Sequence, residues 1–153
     1  MSDIIIRPLT SDDMEAWEPL WQGYLTFYKA SLPAFVTRLT FSRLTGGKEP
    51  MGGFVAERDG QLIGIVHWVM HRTCWSAKDI CYLQDLFVDP AIRGGGVGRK
   101  LIDAVYQMAS EKDCFRVYWQ THESNTQAME LYNKVAQHSG FVVYRQPIPA
   151  PET

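Results

Sequence analysis

The stretch over residues 82–100, YLQDLFVDPAIRGGGVGRK, constrains the fold more than any other part of the chain. Leu83, Leu86, Phe87 and Val88 make an apolar run that ends at Asp89-Pro90, where proline, having no N–H, stops strand pairing. Gly94, Gly95, Gly96 and Gly98 follow, and a helical pattern opens from within them. The stretch therefore reads as a strand, a tight loop and a helix start. Without Cβ atoms the loop can turn sharply and bring several N–H groups together. The helix adds its own unpaired N–H groups and the positive end of its dipole, and together these suit a phosphate.

Three anion-loop patterns compete for this segment. A P-loop requires Lys-Ser or Lys-Thr after its last glycine, whereas Gly98 is followed by Arg99, Lys100 and Leu101. A dinucleotide fingerprint requires a third small residue, and Arg99 stands there after Gly94 and Gly96. What remains is R-x-x-G-x-G, met by Arg93, Gly96 and Gly98.

The rest of the chain reads as alternating strands and helices. Ile4, Ile5 and Ile6 form a first strand ended by Arg7-Pro8, and Thr10 to Asp13 offer cap residues for a helix. Trp17, Trp21, Tyr24 and Tyr28 recur at helical spacing on one aromatic face, with a kink or late start expected at Pro19. Trp17 and Leu20 are expected in the core, while the hydroxyls of Tyr24 and Tyr28 suit either core or cleft. Residues 31–44 are a second helix, with Leu32, Phe35, Val36 and Leu39 as its apolar positions. Strands over 54–58 and 62–70 meet at Asp59-Gly60, a hairpin turn. After the central strand, Val97, Leu101, Ala104, Val105 and Met108 form an inward helical stripe. Phe115, Val117 and Trp119 alternate as a strand, residues 125–137 return to helix, and residues 141–145 are expected to form a last strand. The predicted order is β-α-α-β-β-β-α-β-α-β: an α/β (α+β) mixed sheet with helices on its faces.

Composition narrows the function classes. The length, 153 residues with 46% hydrophobic content, suits one compact domain spanning 1–153. A net charge of -2 with scattered basic residues does not favour nucleic acid. No apolar stretch reaches the roughly 20 residues that cross a bilayer, and residues 1–7 lack the pattern of a signal peptide, so a soluble, cytoplasmic protein is expected. Cys74, Cys81 and Cys114 show neither disulfide nor zinc spacing, so no metal is expected.

With Asn125 opening the next helix and Tyr132 seven residues later, the anion loop sits in a context that resembles the GNAT superfamily of acetyl-CoA-dependent N-acetyltransferases. The family's pyrophosphate loop carries Gln/Arg-x-x-Gly-x-Gly/Ala between a central strand and a helix. The aromatic first helix, the HRTCW segment at 71–75, Asp85-Leu86-Phe87-Val88-Asp89 and Glu123-Ser124-Asn125 are similar to the small yeast Hpa-type branch, whose members acetylate histone tails, polyamines, other small basic amines or D-amino acids. Two departures from the family pattern stand out. Ala136 lies where a helix-ending glycine is usual, and after Gly140 there is room for only one full strand. The sheet's C-terminal edge is accordingly expected to be short or completed by a second subunit, as a homodimer.

The resemblance implies a site. The backbone of Leu86, Phe87 and Val88 would bond the pantetheine arm of acetyl-CoA like an added strand and polarise the thioester carbonyl. The N–H groups of Gly94, Gly95, Gly96, Val97, Gly98 and Arg99 would hold the pyrophosphate, and Arg93, Arg99 or Lys100 would meet the remaining charge. Asn125, with Ala128 and Tyr132 on the same helix, would take the cofactor arm, and Tyr132 is the candidate acid for the leaving thiolate. Gln84 stands where diamine acetyltransferases carry a glutamate, and an amide cannot accept a proton at neutral pH. Asp85 is therefore the substrate carboxylate and candidate base. It lines the same cleft as Gln84 only if the strand is bulged, and the family's bulge falls just after these residues. Tyr24, Tyr28 and Trp75, with Asp85, suit a cationic amine substrate. The competing readings are a CoA-binding regulatory module without turnover and an interaction protein that docks a partner on the first helix.

Overall fold

The computed structural model describes residues 3–92 and 95–150, so Arg93 and Gly94 of the expected anion loop lie outside the described residues. The chain divides into two units, Met1–Gln120 and Thr121–Thr153.

In the first unit β1 (Ile5–Pro8), β2 (Met51–Arg58), β3 (Gln61–His71), β4 (Ile80–Val88) and β5 (Arg116–Tyr118) form one sheet in chain order. The first four strands pair antiparallel, and β5 pairs parallel to β4. The β2–β3 turn has Asp59 at φ 53° and Gly60 at φ 76°, the left-handed pair that a two-residue hairpin needs. Successive side chains of a strand point to opposite faces, so Ile65 and Gly64 of β3 mark the two sides of the sheet. On the Ile65 side lie α1 (Met14–Phe27) and α2 (Ala34–Thr45), whose Trp17, Leu20, Trp21, Leu25, Phe41 and Leu44 form a core cluster with Val55 and Ile65. On the Gly64 side lies α3 (Val97–Glu111), which approaches so closely that a Cβ at Gly64 would stand 3.1 Å from Leu101 and Val97. Of the expected inward stripe of α3, Val97, Leu101, Val105 and Met108 are buried and Ala104 is half-buried, and buried Ile102 and Ala109 extend it.

The entry to α1 is fixed by one carboxylate. Asp13 accepts the Thr10 N–H at 2.8 Å and both arms of the Arg7 guanidinium, at 2.9 and 2.8 Å. Helix α1 then runs unbroken through Pro19, where a kink or late start was expected. Pro19 and Glu15, whose carbonyl loses its usual donor, are both exposed, so water can serve that carbonyl. A glycine inside a helix costs about 1 kcal/mol relative to alanine. Gly23 is nonetheless accommodated because the Phe87 ring packs there, 3.0 Å from where a Cβ would stand.

Two expectations need correction. The inward face of α2 is Thr37, Phe41 and Leu44, spaced i, i+4, i+7, while Leu32, Phe35 and Leu39 are exposed. Apolar residues surround this helix, so periodicity alone could not choose its buried side. In the second unit α4 (Thr126–Val135) is followed by chain without regular secondary structure, and residues 141–145 form no strand. A strand exists only when another backbone satisfies its ladder, and Phe141, Val142, Val143 and Tyr144 remain 63 to 92% exposed. The C-cap Ala136 is itself extended (φ -149°), so the glycine usual at this point in the family is not required.

Hydrogen bonds from Arg7 hold the Asp13 carboxyl below the ordinary carboxylate range. A depressed folded pKa contributes stability that is complete above the unfolded value near ~4 and is lost as pH falls below it. Asp13→Ala is expected to lower unfolding free energy by about 1–2 kcal/mol at neutral pH. In denaturant titrations the gap to the parent protein should close as the pH is brought below about 4.

Candidate active site

The site is organised by a break in pairing along β4. On one side β4 pairs with β3 along its whole length; on the other it meets β5 only through Ile80, Cys81 and Tyr82. From Leu83 to Val88 that second edge carries no strand among the described residues, and its N–H and C=O groups are free to receive an extended ligand.

Within the same segment β4 is bulged. His67 stands opposite Asp85 and Trp68 opposite Leu83, which leaves Gln84 as the extra residue. The bulge thus falls at Gln84 itself, rather than just beyond Asp85. It shifts the parity of the strand, so that Tyr82, Asp85 and Phe87 all turn to the α1 side, where strict alternation would have split them. Gln84 is exposed and Asp85 buried.

Around Asp85 the aromatic face of α1 is laid out as a ladder. Trp17 stacks on Trp21 at 5.6 Å, Trp21 on Tyr24 at 5.4 Å, and Tyr24 meets Tyr28 at 5.0 Å. Burial, and then the negative charge of Asp85, push the Tyr24 phenol well above its ordinary range and the Tyr28 phenol upward too. Burial also raises Tyr82, against the opposing hydrogen bond donated by Gln120. All these phenols keep their protons at neutral pH, so they present O–H groups and π faces around one carboxylate. That arrangement favours a cation.

Asp85 is anchored from below. His67 Nδ1 lies 2.9 Å from Asp85 Oδ2, and Trp17 Nε1 lies 3.0 Å from His67 Nε2. Periodicity placed Trp17 in the core without its partner, and His67 carried no sequence signal beyond being a histidine in a strand. The wall beyond Tyr82 was also missed: Tyr118 packs on Tyr82 at 4.7 Å and its hydroxyl meets His71 at 2.8 Å. Only the pairing of β4 with β5 brings these together. Trp75, by contrast, is 86% exposed in the β3–β4 loop, and among the described residues no ring contact joins it to this group.

The anion loop leads into α3 through Gly95 (φ 79°) and Gly96 (φ 63°), left-handed positions that disfavour any residue with a Cβ. Lys100 N–H to Gly96 C=O, at 3.0 Å, is the first helical bond, which leaves the N–H groups of Gly96, Val97, Gly98 and Arg99 without helical acceptors. Among the described residues no side chain caps this end, and no acidic residue lies in its first turn. Arg99 and Lys100 instead place positive charge at the positive end of the dipole, which is unfavourable until an anion binds. Arg58, at the end of β2, brings its Nη2 within 3.2 Å of where a Gly95 Cβ would stand, and its buried Nε has no hydrogen-bond partner among the described residues. These observations fit a diphosphate. Arg58 was not singled out in the sequence, because nothing local marks a strand-end arginine as facing a loop more than thirty residues away.

In the second unit Asn125 is the N-cap residue of α4, and its amide donates to Thr121 Oγ1 at 3.3 Å. Ala128 and Tyr132 follow three and seven residues later on the same helical face, each half-buried.

A depression of about 870 Å³ lies on the opposite, α3 side of the sheet, lined by Met51, Phe54, Trp68, Asp103, Gln107 and Met108 among others. Of the expected site residues only Lys100 lines it, and among the described residues it has no convergent buried polar group. Among the described residues no cluster of His, Cys, Asp and Glu is arranged to hold a metal, and no helix is long and apolar enough to cross a membrane.

Comparison with known proteins agrees with this geometry. Residues 8–136 match the model of the Acetyltransferase (GNAT) family. The D-amino-acid N-acetyltransferase HPA3 of Saccharomyces cerevisiae is 37% identical over 145 residues, covering 94% of this chain and 90% of its own. The N-acetyltransferase YhfO of Bacillus subtilis is 31% identical over 95% of this chain and 98% of its own. Among solved structures, the aminoglycoside N-acetyltransferase AAC(6')-Iy in complex with CoA superposes with a TM-score of 0.83 at 20% identity, covering 96% of each chain, and so shares the fold. A sheet parted beside a bulged strand, a glycine loop at a bare helix end and the family match together establish that the chain belongs to the acetyltransferase (GNAT) family and is an acetyl-CoA-dependent N-acetyltransferase.

Proposed function

We propose that this acetyltransferase acts on a cationic primary amine, held against Asp85 and the Tyr24, Tyr28 and Tyr82 phenols, by direct attack in a ternary complex. The observation that carries the reading is the bulge at Gln84, which turns Asp85 to the α1 side where the free edge of β4 begins. Acetyl-CoA, when bound, supplies the acetyl group as a thioester. The main chain of Leu86, Phe87 and Val88 binds the arm as an added strand, and an N–H of this segment stabilises the developing oxyanion. The N–H groups from Gly95 to Arg99 bind the pyrophosphate, with Arg58, Arg99 and Lys100 as cations and with Arg93 and Gly94 expected to join them. Asn125 and Ala128 support the arm, and Tyr132 donates a proton to the departing thiolate. Asp85 orients the ammonium and receives the proton that the nitrogen must lose before it attacks. Holding both partners in line removes an entropic barrier of up to about 7–11 kcal/mol, so no side-chain nucleophile is required.

The same reading takes the whole chain as one catalytic domain, working as a cytoplasmic homodimer. What supports the dimer is the exposed apolar segment from Phe141 to Tyr144, which a second copy would cover.

An amine panel of polyamines, lysine peptides, aminoglycosides and D-amino acids, read by release of free CoA, tests the function: turnover restricted to cationic amines supports it, and CoA binding without any turnover supports a regulatory module instead. Asp85→Asn is expected to lower kcat/KM for the amine by about 10²–10⁴ and to remove the acidic limb of its pH profile, with the Kd for CoA unchanged. Tyr132→Phe should lower turnover most where the thiol leaving group needs its proton, and unchanged turnover would reject the acid role. Arg99→Glu is expected to act with opposite signs on the two states. It should stabilise the free protein by about 0.3–1 kcal/mol through the helix dipole, while weakening CoA at least about tenfold by calorimetry.

A further inference from the structure

His67 and Asp85, 2.9 Å apart, have the spacing of an ion pair, but a third residue decides their charges. The indole N–H of Trp17 can only donate, and it lies 3.0 Å from His67 Nε2. That nitrogen must therefore hold the lone pair. The ring's one proton then sits on Nδ1 and is donated to Asp85. A second proton on Nε2 would point directly at the indole hydrogen. Trp17 has little freedom to turn away, being fully buried, stacked on Trp21 and tilted against Phe41 at 5.0 Å.

Among the described residues no other charged group is seen to contact His67. The Trp21 ring lies 5.4 Å from it on the α1 side, and Gly53 of β2 lies beside its Cδ2. On β4 it meets Asp85, itself faced by Tyr24, Tyr28 and Tyr82. Asp85 is the one charged group in this set. A neutral imidazole orients Oδ2 by a hydrogen bond without cancelling its charge, and no proton can pass from Asp85 to Nε2 while the indole bond is in place.

We propose that Trp17 is a positioning residue acting through His67: by holding the imidazole neutral with its proton on Nδ1, it leaves the Asp85 carboxylate uncompensated and aimed at the ammonium group of the substrate. The proposal rests on the reading of Asp85 as the substrate carboxylate. It assigns a part in amine recognition to a residue buried in the core and out of reach of the substrate.

The test combines a spectrum with kinetics. Long-range ¹H–¹⁵N spectra of the unliganded protein should show His67 as the neutral Nδ1–H form, and Trp17→Phe, which keeps the ring but loses the donor, should abolish that fixed form. For a cationic amine Trp17→Phe should raise KM about tenfold or more at mildly acidic pH, with recovery at higher pH and little change in kcat or in the Kd for CoA. His67→Gln, whose amide can accept from Trp17 and donate to Asp85, should raise KM clearly less than His67→Ala and add no new pH dependence, whereas equal losses in the two variants would count against the network. If Trp17→Phe does not fold, the parent spectrum and His67→Gln decide. An imidazolium or an Nε2–H form in the parent protein would overturn the proposal, as would a folded Trp17→Phe with the parent KM at every pH. The spectrum needs no turnover, so failure of this network and failure of the acetyl-transfer reading can be told apart.

Discussion

The parting of β4 from β5 after Tyr82 is the constraint on which the rest depends. A parallel pair that stayed zipped would consume the N–H and C=O groups of residues 83–88 in ladder bonds. The parted strand keeps them available beside a packed core. Full pairing with β3 on the other side holds β4 rigid, so its open edge is a fixed row of donors and acceptors. The bulge at Gln84 adds the second requirement by turning Asp85 and Phe87 to the α1 side. There Phe87 packs against α1 at Gly23 and Tyr24, which ties the aromatic ladder to the strand.

In the anion loop, too, the proposed recognition material is main chain rather than side chain. Among the described residues no side chain covers the first N–H groups of α3 beyond left-handed Gly95 and Gly96, and the first turn carries Arg99 and Lys100 instead of the acidic residues that would favour a free helix end. In the proposed function local stability is given up there for a site that a diphosphate would complete, so the sign of the electrostatic term at this helix end would change on binding.

How much of this was legible in the sequence follows from the range of each interaction. The hairpin at Asp59-Gly60, the α1 aromatic stripe and the helix that opens from the glycines are local patterns, and each appears as read, while Arg93 and Gly94 of the loop lie outside the described residues. The buried side of α2 was not legible, because Leu32, Phe35 and Leu39 look as apolar as the residues that pack. Long-range partners were invisible for a different reason. That Trp17 meets His67, that Arg58 lies beside Gly95, and that Tyr118 covers Tyr82 depend on strand order and on one inserted residue in β4, neither of which leaves a periodic trace. The segment 141–145 has strand-forming composition but no partner strand, so composition predicted an element that pairing did not supply.

The most direct measurement is amide hydrogen exchange, residue by residue, with and without CoA. The proposed account predicts slowed exchange along residues 84–88 of β4 and at the first N–H groups of α3, with the β1–β2 edge unchanged. Protection confined to the depression between α3 and the β1–β2 edge, with the β4 segment exchanging as before, would contradict it.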